Sequence, residues 1–344
     1  MRAVVYSETG PSSVLRLIER ELPEPGAGEV RVRLVRAGVN PTDWKQRSGT
    51  TYAAMGEDEI TPGQDGAGVV DALGSGVAGV AVGDRVWLHM VQHHGSAYGT
   101  AAEYAIVPLY KAVPLPANAS FDLGASLGVP AVTAHRALTS GADADRIAPG
   151  TLAGRTVLVQ GGAGAVGNAA IQLARWAGAT VIATVSSPEK AALASAAGAQ
   201  IVVNYREQDT EAAIRAQAPD GVDLVVEVAP AVNNDLDRAV IRNGGTIAIY
   251  ANNGGDELPL PLRATFSLNL RYQFVLLYGV APALLAAAVE DITAALAAGA
   301  LGVGEEHGLP LTRFALSQTA AAHDAVEGGT IGKVLIDCLS DAEA

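Results

Sequence analysis

The stretch QGGAGAVGNAA, residues 160–170, puts glycines at 162, 164 and 167, directly after an apolar run and at the start of a helical pattern. That is the spacing G-x-G-x-x-G. A tight turn of this kind lets backbone N–H groups approach a pyrophosphate, whose charge then lies at the positive end of the helix dipole. The last glycine lets helix and strand pack closely. In a chain with 39 glycines the alternative is an ordinary glycine-rich turn. The neighbours decide between the two. TVLVQ (156–160), ATVIATV (179–185), QIVV (200–203), VDLVVEV (222–228) and GTIAIY (245–250) are nearly continuous apolar runs, as expected of strands buried on both faces. Helical patterns over 165–177, 188–197, 209–217 and 232–242 separate them, with Gly178 and Gly198 where a helix C-terminal glycine belongs. Alternating strand and helix predicts an α/β, doubly wound parallel sheet, and the loop reads as a dinucleotide site.

Outward from that sheet the pattern changes. Before about residue 125 come short apolar segments punctuated by Gly and Pro: EVRVRLVRAGV (29–39), GAGVVDAL (66–73), DRVWL (84–88) and AEYAIVP (102–108). These predict a compact, barrel-like β domain. Residues 282–300 read as an Ala/Leu-rich helix, and IGKVLID (331–337) as a last strand returning to the first domain. The expected division is 1–128, completed by about 280–344, and 129–279.

With 344 residues the chain is long enough for two cores. A formal charge of −13 with no basic block argues against nucleic acid as a partner. Cys338 is the single cysteine, which excludes a disulfide framework and a cysteine zinc cluster. The longest apolar run, FVLLYGVAPALLAAAV (274–289), is short for a membrane span and is interrupted by Gly279 and Pro282. The N-terminus shows no signal-peptide pattern. The expectation is a soluble, cytoplasmic protein.

The second strand of the sheet bears on the choice of dinucleotide. An NAD site places Asp or Glu at its end to bond the ribose 2′-hydroxyl. Here it ends Thr184-Val185-Ser186-Ser187, with Lys190 one turn on. Hydroxyls and a lysine suit a 2′-phosphate, and Tyr205 and Arg206 add polar and basic groups past the third strand. Ser186 and Glu189 also match a helix capping box with Pro188 near the helix start, and the two roles are compatible. The balance favours NADP(H).

Several stretches together carry a resemblance that runs through nearly the whole chain: GVNPTDWKQRSG (38–49), TPGQDGAGVV (61–70), VGDRVW (82–87), GTAAEYAIVP (99–108), SLGVPAVTAHRAL (126–138), the glycine loop and VVNYRE (202–207). In order, they resemble the zinc-independent quinone oxidoreductase branch of the medium-chain dehydrogenase/reductases, the branch of zeta-crystallin. The resemblance implies a GroES-like β-barrel catalytic domain, a Rossmann domain, a cleft between them for NADPH and substrate, and a homodimer. It places Ala163, Gly164, Ala165 and Val166 at the pyrophosphate, and Ser186, Ser187, Lys190 and Tyr205 at the 2′-phosphate with Lys333 as an additional contact. Near the nicotinamide it places Asn40, Tyr52, Thr133, Tyr250, Ala251, Asn252, Val275, Leu276 and Leu277. GGAGAVG replaces the more usual GASGGVG, which removes a loop hydroxyl, and the loop after Ser48 carries extra residues.

Zinc-dependent relatives carry a cysteine where this chain has Asn40 and a histidine where it has Gln64, so no metal is expected. His89, His93 and His94 read as a solvated loop cluster, and His135, His307 and His323 as structural or surface residues. Without a Lewis acid the substrate should accept hydride readily, as quinones and α,β-unsaturated carbonyls do. Asn40, through its amide, and Tyr52, through its phenol, are the candidate donors to the developing oxyanion, with VLLYG (275–279) the edge strand suited to a dimer. A quinone reductase, an enone or enoyl reductase and a weakly catalytic NADPH-binding protein of the crystallin kind all fit these residues.

Overall fold

The computed structural model describes residues 1–50, 59–92, 98–141 and 145–339. Two units emerge, Met1–Val129 with Leu311–Ala344, and Pro130–Pro310. The first unit starts with β1 (Arg2–Val5), β2 (Arg16–Glu19), β3 (Glu29–Val39), α1 (Pro41–Ser48), β4 (Asp65–Leu73), β5 (Arg85–Leu88), β6 (Tyr104–Pro108), β7 (Ala112–Pro114) and α2 (Phe121–Gly124). A helix, α3 (Gly128–Leu138), begins at the junction.

The second unit holds β8 (Thr156–Val159), α4 (Ala165–Trp176), β9 (Thr180–Val185), α5 (Pro188–Ala196), β10 (Ile201–Asn204), α6 (Thr210–Gln217), β11 (Val222–Glu227), α7 (Pro230–Val240), β12 (Ile241–Ile249), α8 (Leu262–Phe266), β13 (Arg271–Phe274) and α9 (Pro282–Ala297). The chain then returns to the first unit as β14 (Leu311–Ala315), α10 (Thr319–Glu327) and β15 (Lys333–Asp337).

In the second unit the strands form a parallel sheet in the order β10-β9-β8-β11-β12-β13. The strand order reverses between β8 and β11, the place where open α/β sheets bind ligands beyond their carboxyl ends. The apolar runs read from the sequence become a core of Leu158, Ile182, Val203, Val225 and Ile247. Gly178 and Gly198 follow α4 and α5 with φ of +91° and +104°, the left-handed backbone that ends a helix at low steric cost. Proline opens α1, α5, α7 and α9, where its fixed φ suits the first turn and its missing N–H costs nothing.

The first unit is a largely antiparallel sheet in the order β14-β15-β3-β4-β5-β7, with β6 also on β3. Its core gathers Val32, Leu34, Val70, Val86, Leu88 and Ile336. The returning strand β15 pairs antiparallel with β3, Val334 opposite Val39.

Three expectations need correction. The helix expected over 232–242 starts at Pro230 and ends at Val240, because Ile241 is already extended and opens β12. VLLYG (275–279) is not a strand: the edge strand is Arg271–Phe274, its ladder closing with the Val275 N–H on the Ile249 carbonyl at 2.7 Å. Leu277 then turns inward as a short 3-10 turn, so its apolarity marks a buried anchor. Lastly, residues from about 280 were expected to complete the first domain. The stretch to Pro310 belongs instead to the second unit, where Asp291 on α9 accepts hydrogen bonds from His135 Nε2 (2.8 Å) and the Ile147 N–H (2.7 Å). Among the described residues no helix is long and apolar enough to cross a membrane.

Candidate active site

The carboxyl ends of the parallel strands carry the second-unit residues that the sequence marks for the cofactor. After β8 the chain turns through Gly161 (φ +71°) and Gly162 into the first turn of α4, whose N-cap is Gly164. No side chain caps this helix, so its first N–H groups, including those of Ala165 and Val166, are left for an anion. Glycine is required here for packing as well. A Cβ on Gly167 would stand 2.4 Å from the Gly161 carbonyl oxygen, and one on Gly162 would stand 2.8 Å from Ala183 Cβ.

Beyond β9 lie Ser186, Ser187 and, on the first turn of α5, Lys190. Lys190 Nζ donates to Ser186 Oγ at 3.1 Å. The N-cap is Ser187, whose hydroxyl accepts from the Lys190 N–H, so the Ser186–Glu189 capping box does not form and Ser186 keeps its hydroxyl for Lys190. Tyr205 follows β10, which pairs in register with β9, and its N–H donates to the Val185 carbonyl at 3.1 Å. Half its surface is exposed (50%). No carboxylate ends β9.

On the other side of the strand reversal, Tyr250, Ala251 and Asn252 follow β12. Tyr250 N–H donates to the Glu227 carbonyl and Asn253 N–H to the Val228 carbonyl, both at 3.1 Å, and Asn252 Nδ2 donates to Asp256. Val275, Leu276 and Leu277 follow β13. Burial and the Glu227 carboxylate hold the Tyr250 phenol in its neutral form, above its ordinary pKa. Thr133 is buried on α3.

In the first unit, Lys333 departs from its expected place. Its side chain is buried, and Nζ donates to Asn40 Oδ1 at 2.7 Å and to Asp65 Oδ2 at 3.1 Å. An ammonium so enclosed is not available to a 2′-phosphate. Asn40 is tied on its other side: Nδ2 donates to Asp65 Oδ2 at 2.7 Å, while its N–H donates to Asp43 Oδ2 at 2.7 Å. Its expected role as a free amide donor gives way to that of a knot joining α1, β4 and β15. Glycine makes room for it, since a Cβ on Gly38 would meet the Ala125 carbonyl oxygen at 2.1 Å and Lys333 Cε at 2.9 Å. The Val129 N–H supplies Asp65 Oδ1 at 2.7 Å. Burial and the neighbouring Asp65 push the Asp43 carboxyl up to about 7. Burial also raises Asp65, against the pull of Lys333.

These residues do not suit zinc. The donors at Asn40 are an amide and carboxylates, with an ammonium among them that would repel a cation, and Gln64 is committed through Nε2 to the Gln92 carbonyl at 2.7 Å. His89 is buried rather than solvated, its Nε2 against the Tyr110 carbonyl at 3.3 Å. Tyr52, His93 and His94 lie outside the described residues.

Sequence reasoning missed the knot at Lys333 and a second cluster, a buried pair of acids at the end of the parallel sheet. Glu227 closes β11 and Asp237 lies on α7, both fully buried. A carboxylate at the end of the apolar run VDLVVEV was the available signal.

Comparison with known proteins finds relatives along nearly the whole chain. Residues 26–117 match the alcohol dehydrogenase GroES-like domain and residues 165–294 the zinc-binding dehydrogenase family. Over 340 residues the chain is 32% identical to a quinone oxidoreductase of Lama guanicoe, covering 98% of this chain and 97% of that one. The structure of an Escherichia coli quinone oxidoreductase complexed with NADPH matches with a TM-score of 0.80 at 25% identity, covering 98% of this chain and 100% of that one. A structure of an NAD-dependent alcohol dehydrogenase matches with a TM-score of 0.84 at 30% identity, covering 98% and 99%.

Proposed function

The chain belongs to the quinone oxidoreductases of the medium-chain dehydrogenase/reductase superfamily, and on that premise we propose that it reduces a quinone with NADPH. The observation that carries the reading is the set of residues at the carboxyl ends of neighbouring strands: an uncapped helix N-terminus after β8, Ser186 and Lys190 after β9 with no carboxylate ending that strand, and Tyr205 after β10. When bound, NADPH supplies the hydride. Ala163, Gly164, Ala165 and Val166 present backbone to its pyrophosphate, and Lys190 with Ser186, Ser187 and Tyr205 receives the 2′-phosphate. Tyr250, Ala251 and Asn252 on one strand end, and Val275, Leu276 and Leu277 on the next, border the nicotinamide.

The knot at Lys333 gives the first unit a fixed charge arrangement that needs no metal, so the acceptor must delocalise its own negative charge. A quinone does so. With Asn40 engaged, the donor that remains of the two the sequence offers for its oxygen is Tyr52, which lies outside the described residues.

The protein works as a homodimer. Among the described residues β13 pairs on one side only and forms an edge, with Phe274 (62% exposed) on it, Leu276 (69%) just past it, and Phe266 and Leu262 nearby in the chain. Phe274→Arg should yield monomers by sedimentation; a wild type already monomeric at micromolar concentration refutes the pairing. Cytoplasmic residence fits a lone thiol, Cys338, that is buried and pushed up to about 12.

The functional test is NADPH oxidation with a panel of ortho- and para-quinones and enones, before and after exhaustive chelation. Turnover of quinones that survives chelation is expected. Turnover of enones alone makes the chain an enone reductase, and turnover of neither makes it a binding protein.

A further inference from the structure

The buried acids Glu227 and Asp237 have no part in the reading above, yet a continuous chain of hydrogen bonds joins them to the glycine loop. Asp237 Oδ1 accepts from Gln160 Nε2 at 2.8 Å, and Gln160 Oε1 accepts from the Thr184 hydroxyl. The same hydroxyl accepts from the Gly161 N–H at 3.4 Å, and the Thr184 carbonyl accepts from the Gly162 N–H at 3.0 Å. Gln160 immediately precedes the loop, and its own N–H is held by the Val226 carbonyl at 3.0 Å.

At the other end the two carboxyls lie within hydrogen-bonding reach of each other. Asp237 Oδ2 is buried and meets no N–H or O–H donor among the described residues. Two carboxyls bond each other only with a proton between them. Glu227 is the member supplied with donors, from the Ala229 N–H and from Asn233 Nδ2 at 3.1 Å, so the proton sits on Asp237.

We propose that Glu227 and Asp237 are positioning residues, a pair sharing one proton that holds the pyrophosphate loop in its binding shape through Gln160 and Thr184. The proposal rests on the reading of that loop as the NADPH site. Burial and the Glu227 charge raise Asp237 well above the ordinary carboxyl value, in the direction that favours the shared proton. Of the other titratable or charged groups, Tyr250 after β12 faces Glu227 and Tyr272 on β13 faces Asp237, while Asp235 and Arg238 on α7 act on Tyr272 and pair with each other. Loss of the shared proton leaves two buried negative charges that repel each other, and it is this repulsion that displaces Asp237 and strains its bond to Gln160.

The test measures binding of NADPH and of NADH to the full chain by fluorescence from pH 6 to 9.5, together with amide exchange of the 156–165 segment without cofactor. Wild type should lose affinity for both cofactors as pH rises through the titration of the pair. Asp237→Asn keeps a donor toward Glu227 and an acceptor for Gln160 but cannot titrate. It should bind as wild type does at neutral pH and give a flat profile. Asp237→Ala should bind both cofactors about tenfold more weakly, the scale of one lost buried hydrogen bond, with faster exchange in the loop.

Should Asp237→Ala fail to fold, Thr184→Val cuts the same line at its far end and should flatten the profile too. Equal damage from Asn and Ala at position 237, or a wild-type profile that Asp237→Asn leaves unchanged, overturns the proposal. A chain that binds neither cofactor defeats the cofactor reading alone, because loop exchange that Ala speeds and Asn does not still supports the pair.

Discussion

Lys333→Met separates the two roles open to that lysine, 2′-phosphate contact and buried counter-charge. In the structure its ammonium is shared between Asn40 Oδ1 (2.7 Å) and Asp65 Oδ2 (3.1 Å), with side-chain exposures of 1% for Lys333 and 0% for Asp65. Methionine fills much of the same volume without charge. Asp65 would keep the Asn40 Nδ2 and Val129 N–H donors but lose its only cation among the bonds it makes here. Removing one partner of a buried ion pair costs about 3–5 kcal/mol, because the remaining charge is left uncompensated. For a unit of this size each kcal/mol moves the melting temperature by about 2–4 °C, so the fall should be roughly 6–20 °C.

The double variant Lys333→Met/Asp65→Asn removes both charges and should recover most of that fall, since a buried pair replaced by neutral groups is often nearly neutral in stability. Thermal denaturation of the two variants, with NADPH and NADH affinities measured on each, makes the assay. The ratio of the two affinities should stay within about twofold of wild type, less than 0.5 kcal/mol. An unchanged melting temperature together with a lost preference for NADPH would show that Lys333 reaches the phosphate, and the buried-knot argument would be wrong.

Lys190→Ala should weaken NADPH about tenfold and leave NADH nearly untouched, as loss of a charge-assisted phosphate contact predicts; equal loss for both cofactors in a fluorescence titration counts against the 2′-phosphate assignment. Gly167→Ala puts a Cβ 2.4 Å from the Gly161 carbonyl oxygen. It should cost about 1–3 kcal/mol of stability and impair binding of both cofactors alike, so a variant with native melting and affinity refutes the close packing. Burial lowers His89 and His323 to about 4, so both are neutral in the folded protein. Their unfolded forms bind protons first on acidification, and stability is lost as pH falls from about 6.5 toward 4, by about 3 kcal/mol for each histidine. His89→Gln should therefore flatten the slope of stability against pH by up to about 1.4 kcal/mol per unit in that window, read from denaturant melts; an unchanged slope would place His89 in water.

The parallel sheet was legible because strands buried on both faces leave continuous apolar runs, and because a left-handed helix end all but requires glycine, as Gly178 and Gly198 bear out. The glycine loop was legible because its spacing is set within the turn, where a Cβ on Gly167 would meet the Gly161 carbonyl oxygen, whereas the room Gly162 leaves for Ala183 of β9 comes from packing. Strand register is not local. Val334 lies opposite Val39 in the pairing of β15 with β3, which carries Lys333 to Asn40 across 293 residues of chain. One residue of slip would turn the Lys333 side chain to the other face of the sheet and leave Asp65 without it. Read as isolated letters, Asn40 looked like a donor to substrate and Lys333 like a phosphate ligand. Folded, each has its polar atoms engaged by the other or by Asp65.

The acid pair was hidden in the same way. Glu227 and Asp237 sit on a strand and on the helix that follows it, and only the packing of that helix on the sheet brings the two carboxyls to a common proton. Residues whose partners come from their own turn can be assigned from sequence. Residues whose partners come from another element take their chemistry from the packing. In this chain the cofactor loop is of the first kind, and the groups that hold it and the barrel in place are of the second.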